Sequence, residues 1–153
     1  MKKLIRSLVS LCLCSLLMLG ISHKATALSD IGSDAFFEDR DLIAKTVELT
    51  APGASYAARL ALAAVIVNRA KDARFPSEIR AVIYERGAFE CVLEPSFEHT
   101  QVSYLSKVAA RDALLGFDVT SGALYFKKGV ASSSDGACFH HSGFLFFKDR
   151  PDS

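Results

Sequence analysis

The chain has 153 residues, half of them apolar and 23% charged, with a formal net charge of +1. The near-neutral balance excludes a basic nucleic-acid-binding domain. The apolar content is concentrated first in the leader. Lys2, Lys3 and Arg6 precede an apolar run from Leu8 to Ile21, and Ala25-Thr26-Ala27 has the small-x-small form of a cleavage site. Together they predict a secretory signal peptide over residues 1–27, removed after Ala27. The alternative is a retained anchor, but the run is shorter than the ~20 residues a spanning helix needs. Cys12 and Cys14 lie within the run and form no lipobox.

Removal of residues 1–27 takes away Lys2, Lys3, Arg6 and Lys24 and no acid, so the charge falls from +1 to −3. The remaining ~126 residues suit one domain. A secreted or periplasmic location follows, with no nucleic-acid partner, no identifiable partner protein, and a monomer as the expected state. Cys91 and Cys138 survive processing. An exported pair either closes a disulfide or remains as two free thiols.

Residues 28–40 are a polar lead. Asp39 or Asp41 then caps a first helix whose stripe is Leu42, Thr46 and Leu49 with Ile43 and Val47, Asp41 pairing with Lys45 one turn on. Pro52-Gly53 ends it. Ser55 caps a second helix, in which Leu60 to Val67 is apolar on every side and therefore enclosed by the rest of the fold. It ends near Asn68-Arg69, two residues expected to tie down the helix end. Ser77 is placed as the cap of a short third helix carrying Ile79, Val82 and Ile83, and Glu85 to Cys91 is a turn with an acid in it. A fourth helix fits Ser103 to Leu115, with Tyr104, Val108 and Leu115 on one side and Gly116 as terminator. Three short aromatic runs, Ala123–Phe126, Ala137–His140 and Phe144–Phe147, are separated by Gly- and Ser-bearing turns and predict a small antiparallel sheet. Helices followed by strands make an α+β domain over residues 41–150.

Several of these stretches resemble the bacterial cell-wall hydrolases of the spore-cortex-lytic (SleB/CwlJ-like) type. They are Leu42-Ile-Ala-Lys45, Gly53, Leu60 to Arg69, Arg74-Phe-Pro76, Val82-Ile-Tyr84, Gly87 to Val92 and Gly122 to Phe126, in the family's order and roughly its spacing. The resemblance implies a small, mainly helical, lysozyme- or lytic-transglycosylase-like domain with a short C-terminal antiparallel sheet. It implies cleavage of the glycan strand of peptidoglycan without metal or organic cofactor. It also places the catalytic acid in a Glu-Ala-x-Gly pattern, where this chain has Thr50-Ala51-Pro52-Gly53. A second departure is Ser142-Gly143-Phe144, where the family has a Gly-Asn-His-like turn.

Glycosidic cleavage needs a proton for the leaving oxygen, which a carboxylic acid supplies and a threonine hydroxyl does not. The candidate acids are Glu48 and Glu90. Glu48 is two residues from Thr50, about 200° away on a regular helix, so in-place substitution needs an irregular helix end. Glu90 lies in a loop beside Phe89. Both acids are also read as ordinary solvated carboxylates. Thr50, Phe89 and Tyr125 are the candidate substrate contacts, the two rings as stacking platforms or as core. Cys138 and His140, with Cys91 or His141, match no metal-ligand spacing, and Ser132 to Ser134 with Asp135 and a histidine make a triad only on paper. The competing functional reading is a wall-binding or regulatory domain of the same fold without turnover.

Overall fold

The computed structural model describes residues 32–130 and 136–151. The signal peptide, its cleavage site and the first part of the polar lead lie outside the described residues, as do Ser132 to Ser134 and Asp135. The chain divides into two units, residues 1–37 and 38–153. Of the first, residues 32–37 are described, and there Phe36 and Phe37 meet edge to face at 5.8 Å. No helix among the described residues is long and apolar enough to cross a membrane.

Among the described residues, four helices, a 3₁₀ turn and three strands follow in order: α1 (Asp34–Thr50), α2 (Tyr56–Lys71), α3 (Ile79–Ile83), the turn Glu90–Leu93, α4 (Tyr104–Leu114), β1 (Tyr125–Lys128), β2 (Phe139–His141) and β3 (Phe144–Phe147). This is the α+β order expected. α1 starts at Asp34 and not at Asp39 or Asp41, so part of the polar lead is helical. Its buried side is Ile43, Ala44, Thr46 and Val47. The expected Asp41–Lys45 pair is not formed. Asp41 accepts from its neighbour Arg40, while Lys45 reaches Glu98 at 3.4 Å. The helix is regular to Thr50 and stops at Ala51-Pro52, where Gly53 takes φ +72°. That left-handed turn favours glycine.

Ser55 caps α2 as expected, its hydroxyl accepting from the Ala58 N–H at 3.4 Å. Residues Ala58 to Val67 are all buried, so α2 is the central helix, packed chiefly against α4 and also against α3 and β1. It runs on to Lys71, two residues beyond the expected end at Asn68-Arg69. α3 has Glu78, not Ser77, at its cap position, with no side-chain capping bond.

α4 is capped by Ser103, whose hydroxyl accepts from the Ser106 N–H at 3.3 Å. Its inner face is Ser106, Ala109, Ala110 and Ala113. The expected stripe of Tyr104, Val108 and Leu115 is not the buried face: Tyr104 is 78% exposed and Leu115 is 41% exposed. The reason is steric. Two alanine-rich helices can approach closely only through their small residues, so the bulky positions of α4 are turned outward.

The sheet has the order β1-β3-β2 and is antiparallel throughout. Tyr125 pairs with Phe147 and Lys128 with Phe144; Phe139 pairs with Phe146 and His141 with Phe144. β1 begins two residues later than expected and β2 ends one residue later, while β3 has the expected bounds. β3 is the middle strand and all four of its side chains are buried, which removes the alternation of an edge strand. Ser142 and Gly143 both have positive φ, +48° and +77°, and form a two-residue hairpin turn of the primed type.

The approach to β1 is held from the end of α2. The Asn68 side chain donates to Asp118 and to the Ala123 carbonyl, and Arg69 Nε donates to the Leu124 carbonyl at 2.7 Å. Asp118 also accepts from Thr120 and from the Gly122 N–H. Asn68 and Arg69 thus tie the helix end to the sheet, as their position predicted.

If close α2–α4 contact requires small side chains, Ala109→Leu should destabilise the domain by about 1–3 kcal/mol through overpacking. The outward-facing Leu115→Ala should cost less than about 1 kcal/mol. Urea unfolding of the two variants beside the parent checks this.

Candidate functional site in the groove at the end of α1

Glu48 and Thr50, two residues apart on a regular helix, face different surroundings. The Glu48 side chain is 18% exposed and turns toward α2 and α4. Its Oε2 accepts from Arg59 Nη1 at 2.8 Å, from the Ser103 N–H at 3.0 Å and from the Ser103 hydroxyl at 2.5 Å. The carboxylate therefore sits at the N-terminus of α4, where free N–H groups and the helix dipole favour negative charge. Burial alone would raise its pKa. The hydrogen bonds from Ser103, Ser106 and Arg59 outweigh that and bring it down to about 2. Arg59 is 3% exposed and also donates to the Ala54 carbonyl at 2.9 Å and to the Ser106 hydroxyl.

A carboxyl with a pKa near 2 carries no proton near neutrality. In this setting Glu48 is an anchoring anion that joins α1, α2 and α4, and the regular helix end leaves it no route to the position of Thr50.

Thr50 lies at the junction of two cavities. The first, about 450 Å³, is bounded by Thr50 to Ser55, Lys128 and the Ser142-Gly143-Phe144 turn. The second, about 430 Å³, is bounded by Leu49, Thr50, Gly87 to Cys91, Phe126 and Lys128. Because Thr50 and Lys128 border both, the two form one groove across the end of α1. Cys91 Sγ lies 3.7 Å from Thr50 Oγ1, which seats the 3₁₀ turn bearing Glu90 against the helix end. Glu90 is exposed and is the only acid among the described residues lining either cavity.

Thr50, Phe89 and Glu90 are thus brought together, and Glu48 and Tyr125 are not among them. Phe89 is 5% exposed and stacks on Phe126 at 5.7 Å, so its ring is part of the groove floor. Tyr125 borders an adjoining cavity with Arg69, Phe75 and Arg150. His141 Nε2 lies 2.9 Å from Ser55 Oγ, which bonds in turn to Ser142 Oγ at 3.3 Å, joining the hairpin to the start of α2. Cys91 and Cys138 are both free thiols. Cys138 donates to the Thr120 and Phe146 carbonyls, and burial raises the pKa of both thiols.

Two residues of the site were not anticipated. Lys128 borders both halves of the groove, and nothing local in Lys127-Lys128-Gly129 distinguishes it. Arg59 did carry a signal. A charge immediately before the wholly apolar run Leu60 to Val67 must find a buried partner.

The sequence profile of the Cell Wall Hydrolase family matches residues 53–141. Thr50, Ala51 and Pro52 precede the matched segment. The spore cortex-lytic enzyme of Bacillus cereus is 38% identical over 88 residues, which is 58% of this chain and 34% of that protein. The chain spans about a third of the length of the curated relatives it matches. Two solved structures share the fold. The catalytic domain of the Bacillus cereus SleB protein superposes with a TM-score of 0.64 at 30% identity, covering 72% of this chain and 89% of that one. The catalytic domain of the germination-specific lytic transglycosylase SleB from Bacillus anthracis gives 0.65 at 29% identity, covering 76% and 96%. The fold is therefore the lysozyme-like α+β arrangement that the resemblance implied.

Glu48→Gln should cost on the order of 3 kcal/mol at pH 7, because Arg59 is left as an uncompensated buried charge. The folded-state pKa of Glu48 is depressed from 4.5 to about 2, so its contribution is full above pH ~4.5 and is lost as pH falls toward 2. Urea midpoints of parent and variant should therefore differ most at neutral pH and converge as the solution is acidified through that window.

Proposed function

Since the chain belongs to the cell wall hydrolase family, we propose that it cleaves the glycan strand of peptidoglycan, in the manner of a lysozyme or a lytic transglycosylase. The observation that carries this is the groove itself, which Glu90 lines together with Thr50 and Lys128. In this reading Glu90 is the proton donor to the leaving oxygen. Thr50 and the Phe89–Phe126 floor contact the sugar, and no metal or organic cofactor takes part. A single carboxyl group suffices for transglycosylation, in which the sugar's own hydroxyl closes on the anomeric carbon. The substrate lies outside the cytoplasm, so the reading includes export through the signal peptide of residues 1–27. The protein then acts as a secreted or periplasmic monomer.

A second reading is favoured by a specific observation. The resemblance puts the catalytic acid at Thr50, and the nearest acid on the same helix, Glu48, is held as an anion by Arg59 and Ser103. On that reading the domain binds the wall, or regulates another protein there, without turnover.

Purified residues 28–153 should release soluble muropeptides from isolated cell walls. Glu90→Gln should lower the rate by at least ~100-fold, the usual worth of general-acid catalysis. Anhydro-muropeptides among the products would identify transglycosylation. Walls that sediment the protein without being solubilised would decide for the second reading, and unchanged release by Glu90→Gln would remove Glu90 from the chemistry. Expression of the full chain in a bacterial host should yield a mature exported form beginning at Leu28, read by mass spectrometry; retention of residues 1–27 would refute the cleavage site.

A further inference from the structure

The cavity that Tyr125 borders holds a concentration of positive charge that the proposed chemistry does not use. It measures about 450 Å³ and is lined by Arg69, Arg86 and Arg150, with Phe75 and Tyr125 among its walls. Glu85 is the only acid among the described residues that line it. None of the three arginines forms an ion pair among the described residues. Gly87, Ala88 and Phe126 border both this cavity and the Glu90 side of the groove, so the two are continuous.

Arg69 is the distinctive member. It is 6% exposed, and a buried guanidinium ordinarily has a carboxylate against it. Here its one hydrogen bond among the described residues is from Nε to the Leu124 carbonyl, at 2.7 Å. The remaining guanidinium N–H groups have no acceptor among the described residues. Three aromatic rings frame the cation, with Phe75 at 5.1 Å, Tyr125 at 5.6 Å and Phe89 at 5.7 Å from the guanidinium carbon. Arg150 stands over the same Tyr125 ring at 5.8 Å. The rings hold both guanidinium groups in place and supply no anion. A fixed planar fork of N–H donors with its acceptor missing is the arrangement that receives a carboxylate.

We propose that this cavity is a subsite for a carboxylate of the peptidoglycan stem peptide, bound by Arg69 and Arg150 while the glycan strand lies in the groove beside Glu90. The inference rests on the wall-directed reading above and adds to it the part of the substrate that sets register. Peptide stems branch from the glycan at the lactyl group of muramic acid, so a carboxylate held at one end of the groove fixes which sugar stands next to Glu90. Carboxylates reach this site from two sources: the stem peptide, or the bare lactyl group of a muramic acid that has lost its peptide.

The test is equilibrium binding, by calorimetry, of N-acetylmuramoyl tetrapeptide, which has no internal glycosidic bond and is not consumed. The full chain and residues 28–153 should bind it about tenfold more tightly than the same compound with its peptide carboxylates converted to amides. Arg150→Ala and Arg86→Ala, both at exposed positions, should reduce or abolish that preference while leaving the urea midpoint unchanged. Arg69→Lys serves as a third variant if its folding is intact. Equal binding of acid and amide, or no saturable binding of either, would overturn the subsite. Tighter binding of peptide-free N-acetylmuramic acid would overturn the stem assignment in favour of the lactyl carboxylate. The two readings fail separately: probe binding with inert walls sinks the hydrolase and leaves the subsite, while wall cleavage without an acid-over-amide preference does the reverse.

Discussion

The ion pair of Glu48 with Arg59, closed by the backbone and hydroxyl of Ser103, is the interaction on which the rest of the domain depends. A buried pair of this kind adds little net stability compared with apolar packing, but losing one partner leaves the other charged and desolvated. Its value is geometric. Arg59 also holds the Ala54 carbonyl and the Ser106 hydroxyl, so one guanidinium fixes α1, the turn after it, and α4. The negative charge lies at the N-terminus of α4, so the helix dipole reinforces the same contact.

That clamp determines what faces the groove. With Glu48 turned inward to α4, the regular helix carries Thr50 to the outer side, where the Cys91 thiol meets it and the 3₁₀ turn presents Glu90. An acid in the helix is thus committed to structure, and an acid from a loop takes the place beside the groove. The same logic separates the two aromatic candidates. Phe89 is fixed under the groove by Phe126, whereas Tyr125, on the adjoining strand residue, faces the arginine-rich cavity. Neighbours on a strand point to opposite faces.

The end of α2 performs the corresponding task for the sheet. Asn68 and Arg69 bind two successive carbonyls, Ala123 and Leu124, just before β1. Those bonds set where the strand enters and hence where Lys128 emerges between the two halves of the groove. The same Arg69 links sheet placement to the cationic cavity, so a single buried residue has one donor committed to the fold and the others open to an anion.

Much of this was legible in the sequence, and the division follows from the range of the forces involved. The helix cap at Ser55, the stop at Pro52-Gly53, the enclosed helix from Leu60 to Val67 and the strand Phe144–Phe147 are set by local backbone chemistry and hydrophobic period, which a few neighbouring residues specify. The colinear motifs identified the family for the same reason. The face of α4 was misjudged because hydrophobic size pointed to Tyr104 and Leu115, while close contact with α2 selects the alanines. The start of α1 at Asp34 was missed because Phe36 and Phe37 are adjacent in a lead that is otherwise mostly polar. For the site, Thr50, Phe89 and Glu90 were legible as candidates but Glu48 was not separable from them, because its role depends on Arg59 and Ser103, residues distant in the chain. Sequence by itself determined the elements, the family and the candidate acids. Only the tertiary structure decided which acid is bound as an anion and which faces the groove, since a carboxyl's protonation and direction are properties of its partners.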